Sequence, residues 1–119
     1  MPRTVLVVDD SAAFRATAQV LLRARGYEVV GAASDLASGL AAARELAPDC
    51  VLLDVNLPDG DGVTVAGRLT ADGAGPAVVL VSTLEASALG DAVERCGARG
   101  FMPKAELASP RLLELLGPP

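Results

Sequence analysis

Short apolar runs alternate with longer amphipathic stretches along this chain. Thr4–Val8 (TVLVV) is a continuous, largely β-branched run, the pattern of a strand buried on both faces. It stops at Asp9-Asp10, and Ser11 reads as a helix N-cap. Ala12–Arg25 carries Phe14, Ala18, Leu21 and Leu22 on one stripe and stops at Gly26. Glu28–Ala33 predicts a second strand. Asp35–Leu46 predicts an Ala-rich helix with Leu36, Leu40 and Ala43 on one face, stopped by Pro48. Cys50–Leu53 predicts a third buried strand, ending at Asp54. Val55–Asp61 (VNLPDGD) is dense in turn formers and reads as a loop, with Asp59 and Asp61 as turn residues. Gly62–Thr70 reads as a helix and Asp72–Pro76 as a turn. Ala77–Val81 predicts a fourth strand ending at Ser82, and Leu84–Cys96 a helix with Leu89, Ala92, Val93 and Cys96 inward. Gly100–Met102 predicts a short fifth strand before Pro103-Lys104. Ser109 and Pro110 predict an N-cap and a proline at the first helical position of a short last helix, Arg111–Leu116.

Five strand–helix units without repeats imply a parallel sheet covered on both faces, with right-handed crossovers. The expected architecture is α/β, a doubly wound five-stranded parallel sheet with a short last helix; if its order is 2-1-3-4-5, the flavodoxin-like arrangement, strands 1 and 3 are neighbours with 4 and 5 beside them. In such sheets ligands bind beyond the carboxyl ends of the strands. Function therefore turns on the residues at those ends.

Composition narrows the classes. At 119 residues the chain has the size of one domain. Hydrophobic residues are 51% and charged residues 21%, which excludes a disordered chain. Aromatics are 3%, so the core must be aliphatic. The net charge of −5 argues against direct nucleic-acid binding. With no His, the chain lacks the imidazole base of serine and cysteine triads. Cys50 and Cys96 lie in apolar runs and read as buried free thiols in a reducing compartment. No apolar run approaches the ~18 residues of a membrane span, and Met-Pro-Arg-Thr does not open a signal peptide. The expectation is a soluble cytoplasmic protein without a membrane partner.

The chemistry gathers at the strand ends. Asp9 and Asp10 follow the first strand, Asp54 the third, Ser82 the fourth and Lys104 the fifth. Taken singly, each has a plain reading: an Asp after a strand is commonly a cap or turn residue, a Ser a cap, a Lys a solvated charge. Taken together, in the expected strand order, they meet in one pocket. Three neighbouring carboxylates repel one another and titrate as a group. Mg2+ relieves that repulsion, since it favours carboxylate, carbonyl and water oxygens. The cation and Lys104 then neutralise a phosphoryl group arriving at a carboxylate nucleophile.

These residues resemble the receiver domain of bacterial two-component response regulators, the chemotaxis-protein-like family. The motifs are VLVVDDS, LLDVNLPDGDG, LVST and GFMPK, and the likeness runs from about Thr4 to Leu116. The resemblance implies that Asp54 accepts a phosphoryl group from a sensor histidine kinase or a phosphotransfer protein. It implies Mg2+ held by Asp9, Asp10, Asp54 and the backbone carbonyl of Asn56. It makes Ser82 the switch hydroxyl that moves to the phosphoryl oxygen and Phe101 the aromatic switch whose ring turns inward. It makes Lys104, the chain's only lysine, the partner of the phosphoryl group. The readout implied is the face formed by the fourth helix, fifth strand and fifth helix, presented to an effector domain, a partner protein or a second copy. Such a chain is not an enzyme, though it takes part in its own phosphorylation and dephosphorylation. Residues 1–119 read as a single receiver domain, with 116–119 as the start of a linker.

Several positions depart from the family pattern. Ala105 stands where a proline usually follows the lysine, which puts a cis Lys104–Ala105 bond in question. Thr83 follows the switch hydroxyl in place of a smaller residue and crowds the phosphoryl site. Phe101 replaces the commoner Tyr. Two alternatives stay open. One is a pseudo-receiver that binds partners without being phosphorylated. The other is a Mg2+-dependent aspartyl phosphatase, which usually carries a second Asp where Asn56 stands.

Overall fold

The computed structural model describes residues 2–71, 73, 75–83 and 96–119. Its elements are β1 (Thr4–Val8), α1 (Ala12–Ala24), β2 (Glu28–Ala33), α2 (Leu36–Leu46) and β3 (Cys50–Asp54). There follow β4 (Asn56–Leu57), β5 (Gly60–Asp61), α3 (Gly62–Thr70), β6 (Ala77–Ser82) and β7 (Gly100–Pro103). A 3-10 turn, Lys104–Glu106, and a C-terminal helix, Arg111–Leu116, close the chain. The main sheet runs β2-β1-β3-β6-β7, with every pairing parallel. That is the expected order 2-1-3-4-5, once the short β4–β5 pair is set aside.

Strand alternation divides the core into two layers. Leu6 and Val8 of β1, Val51 and Leu53 of β3, and Val78 and Leu80 of β6 face α2 and α3. Val5 and Val7, Cys50 and Leu52, and Val79 and Val81 face α1 and the C-terminal helix. Continuous apolar strands are what a sheet covered on both faces requires. Close approach needs small residues in the helices: a Cβ at Gly39 of α2 would lie 2.8 Å from Cγ1 of Val8.

Most predicted elements stand where the periodicity put them. The Val55–Asp61 loop contains one refinement, the two-residue antiparallel pair β4–β5. The predicted helix Leu84–Cys96 lies outside the described residues except for Cys96, which sits in a turn. Two expectations are corrected. Cys50 is buried, but Cys96 is only half-buried. Ser109 does not cap the last helix: Pro110 holds the N-cap position without a side-chain bond, and the Ser109 hydroxyl is buried without a partner. The Pro110 ring lacks an N–H, so its backbone needs no acceptor there. Among the described residues no peptide bond is cis, and Lys104–Ala105 is trans.

Candidate functional site

The carboxyl edge of the sheet collects the molecule's buried polarity. Among the described residues, the buried polar or charged ones are Asp9, Asp54 and Ser82, at 0%, 4% and 1% exposure. All three lie at strand ends on the same edge. Burying such groups is costly unless they are bonded or paired, so the coincidence marks a site.

Backbone geometry places each one. Asp9 follows β1 directly, and its N–H donates to the Ala33 carbonyl at 3.0 Å. Its Oδ1 accepts from the Ser11 N–H at 2.9 Å. The Ser11 hydroxyl caps α1 by accepting from the Phe14 N–H at 3.2 Å. Arg15 donates to the Asp9 carbonyl at 2.6 Å. Asp54 ends β3, and its Oδ1 accepts from the Asn56 N–H at 3.1 Å. Gly62 lies so close that a Cβ there would sit 2.2 Å from the Asp54 carbonyl oxygen. Its N–H donates to the Val55 carbonyl at 2.8 Å, closing the loop beneath the site.

Lys104 bridges the carboxylates. Its Nζ lies 2.7 Å from Asp9 Oδ2 and 3.2 Å from Asp54 Oδ2. Asp10 stands exposed beside them, and one carboxylate oxygen from each of Asp9, Asp10 and Asp54 can be chosen so that all lie within 4.8 Å of one another. Burial pushes the Asp54 carboxyl above its ordinary pKa, and the Asp9 charge adds to the rise against the Asn56 N–H and Lys104. Burial disfavours the Lys104 ammonium, but the hydrogen bond to Asp9 and the pull of Asp54 outweigh it, so its pKa rises. This donor set fits a hard divalent cation: an all-oxygen cluster, with one buried carboxyl whose ionisation the fold resists.

The other predicted residues surround this centre. Ser82 ends β6, one residue beyond the Val81 that pairs with Asp54. Thr83 follows and is exposed. Asn56 is exposed next to Asp54. Phe101 pairs with Leu80 and lies buried in the core layer facing α2 and α3. Sequence reasoning missed two contributors. Asp59 reaches 23 residues back to accept from the Leu36 and Ala37 N–H groups at 2.7 and 3.0 Å, capping α2 from the loop after Asp54. Phe14 presents its ring to Lys104, with the centroid 4.7 Å from Nζ. Neither contact has a local signal, since both join distant segments.

Comparisons with known proteins agree with this fold. Residues 5–116 match the response regulator receiver domain family. The chain is 44% identical over 119 residues to a protein-glutamate methylesterase/protein-glutamine glutaminase of Myxococcus xanthus, covering 98% of this chain and 34% of that protein. It is 38% identical to the transcription regulator BvgA of Bordetella pertussis, over 89% of this chain and 51% of the relative. Among solved structures, the signal receiver domain of NarL from Mycobacterium tuberculosis superposes with a TM-score of 0.84 at 30% identity, covering 98% of each chain. The receiver domain of Thermotoga maritima CheB gives 0.84 at 28%, over 97% of this chain and 94% of that one. This chain thus spans about a third to a half of these two curated relatives. No described helix is long and apolar enough to cross a membrane.

Proposed function

The chain belongs to the response regulator receiver domain family, and from that membership we propose that it is a signalling switch set by phosphorylation of Asp54. The phosphoryl donor is a sensor histidine kinase or a phosphotransfer protein of a two-component system. One observation carries this reading: buried Asp54, paired with Lys104 at 3.2 Å, shares its strand edge with buried Asp9 and exposed Asp10, with carboxylate oxygens within ligand reach.

The proposed roles draw on this geometry together with the family membership. An Asp54 oxygen attacks phosphorus, the donor bond to phosphorus breaks, and an acyl phosphate forms. Asp9, Asp10, Asp54 and the Asn56 carbonyl are the residues to hold Mg2+. When bound, that ion offsets charge on the phosphoryl oxygens. Lys104 keeps its proton and turns from the carboxylates to the phosphoryl group. Ser82, at the neighbouring strand end, donates to a phosphoryl oxygen. Phe101, buried on the strand next to Ser82, passes the change to the surface by population shift. Thr83 narrows the entrance. Residues 1–119 act as one such domain in the cytoplasm, and its surface serves an effector domain, a partner protein or a second copy.

Intact mass after incubation with a small phosphodonor tests the reading. The expected result is one added phosphoryl group that requires Mg2+ and is absent in Asp54→Asn. A folded, Mg2+-binding protein whose mass never changes would instead be a receiver that signals without phosphate. Continuous turnover of an aryl phosphate would make it a phosphatase.

A further inference from the structure

Lys104 is held from three sides, and only two of them are carboxylates. Beyond Asp9 and Asp54, its Nζ lies 4.7 Å from the centroid of the Phe14 ring. A cation within about 6 Å of a ring face is attracted by the ring quadrupole. The ring is placed by the same backbone that places Asp9. The Ser11 N–H donates to Asp9 Oδ1, and the Ser11 hydroxyl accepts from the Phe14 N–H. Asp9, the first turn of α1 and the ring therefore form one frame around the ammonium. Phe14 is also half-buried, and it lines a groove of about 340 Å³ with Lys104, Thr17, Leu21 and Leu107.

We propose that Phe14 is a positioning residue for phosphoryl transfer, its ring face clamping the Lys104 ammonium beside Asp54. The inference rests on the function proposed above for Asp54. The two carboxylates lose their hold as the reaction proceeds. An Asp54 oxygen forms its bond to phosphorus while the donor–phosphorus bond breaks, with the bonding pair leaving on the donor. Asp54 then no longer carries a carboxylate charge, and Asp9 is shared with the metal. The attraction of the ring depends on neither event. It restrains a flexible four-carbon stem, whose freedom otherwise opposes any fixed pose. An aliphatic side chain fills similar space but has no quadrupole. Tight packing alone would favour Leu over the bulkier Trp; a cation–π role reverses that order.

Because Lys104 is the only lysine, isotope-labelled lysine gives a single side-chain signal. The ring current of Phe14 is expected to shift the Lys104 ε-methylene protons upfield in the wild type and in Phe14→Trp, and not in Phe14→Leu. With acetyl phosphate and saturating Mg2+, Phe14→Leu is expected to phosphorylate about threefold more slowly, the scale of one ring–ammonium contact. Phe14→Trp is expected to match or exceed the wild type. An unshifted lysine signal in the wild type, or a Phe14→Leu rate equal to an active wild type, overturns the clamp alone. A wild type that gains no phosphoryl group overturns the reading of Asp54 and the catalytic role of the clamp with it.

Discussion

Two aspartates bracket the central strand β3, and the fold treats them in opposite ways. Asp49, at the amino edge, accepts from the Thr4 N–H at 2.9 Å and the Thr4 hydroxyl at 3.2 Å. The Asp49 N–H returns a bond to that hydroxyl at 2.9 Å. The Thr4 N–H is the main reason its carboxyl sits below the ordinary pKa. Asp54, at the carboxyl edge, is buried, and burial is the main reason its carboxyl sits above it. One carboxylate is exposed and spends its charge tying two strands together. The other is buried next to a like charge, with its tension only partly relieved by Lys104. A group satisfied by the backbone has little left for a ligand, whereas a group the fold leaves in tension is ready for one.

The comparison breaks most visibly on chemistry. Asp54→Asn is expected to abolish the Mg2+-dependent mass gain, while Asp49→Asn retains it in full; phosphoryl gain in the first variant would relocate the acceptor. Next in size is Lys104→Met, which leaves buried Asp9 and Asp54 without a counter-charge. Urea unfolding without metal should show a loss of about 2 kcal/mol, largely restored by saturating Mg2+. A loss that Mg2+ does not touch would mean that packing, not charge, was removed. Asp49→Ala is expected to cost about 1 kcal/mol, because its bonds are exposed to solvent. It should leave the Mg2+ effect on stability unchanged.

The smallest effect is in the pH dependence, and its sign separates the two groups. The lowered pKa of Asp49 means its stabilising contribution is present above the unfolded value near 4 and fades as pH falls through the folded value. The raised pKa of Asp54 means its contribution is present below the unfolded value and is lost as pH rises through the folded one. Metal-free melting from pH 3 to 7 should therefore show Asp49→Asn losing ground to the wild type as pH rises. Asp54→Asn should gain ground over the same range. Parallel curves would erase the distinction between the two ends of the strand.

Much of this protein was legible in its residues. Val5 to Val8, Cys50 to Leu53 and Val78 to Val81 are uninterrupted apolar runs, and such runs are stable only as strands covered on both faces. Asp9, Asp54 and Ser82 close these runs, and Lys104 follows the short strand Gly100–Pro103, so alternation with helices carried all four to one edge. Right-handed crossovers narrowed the possible strand orders, and the folded sheet selects β2-β1-β3-β6-β7. Cap chemistry was less legible. Ser109 had the composition of an N-cap, yet burial turned its hydroxyl away from that use.

The sequence by itself determined the strands, their stacking into two apolar layers and the residues placed at the carboxyl edge of the sheet, because periods of two and 3.6 are local properties of the chain. Only the tertiary structure decided which groups meet there. Asp59 capping α2, Lys104 spanning Asp9 and Asp54, and Phe14 facing that ammonium each join segments at least 22 residues apart. Such contacts depend on where two elements end after packing, and no local pattern of side chains encodes that distance.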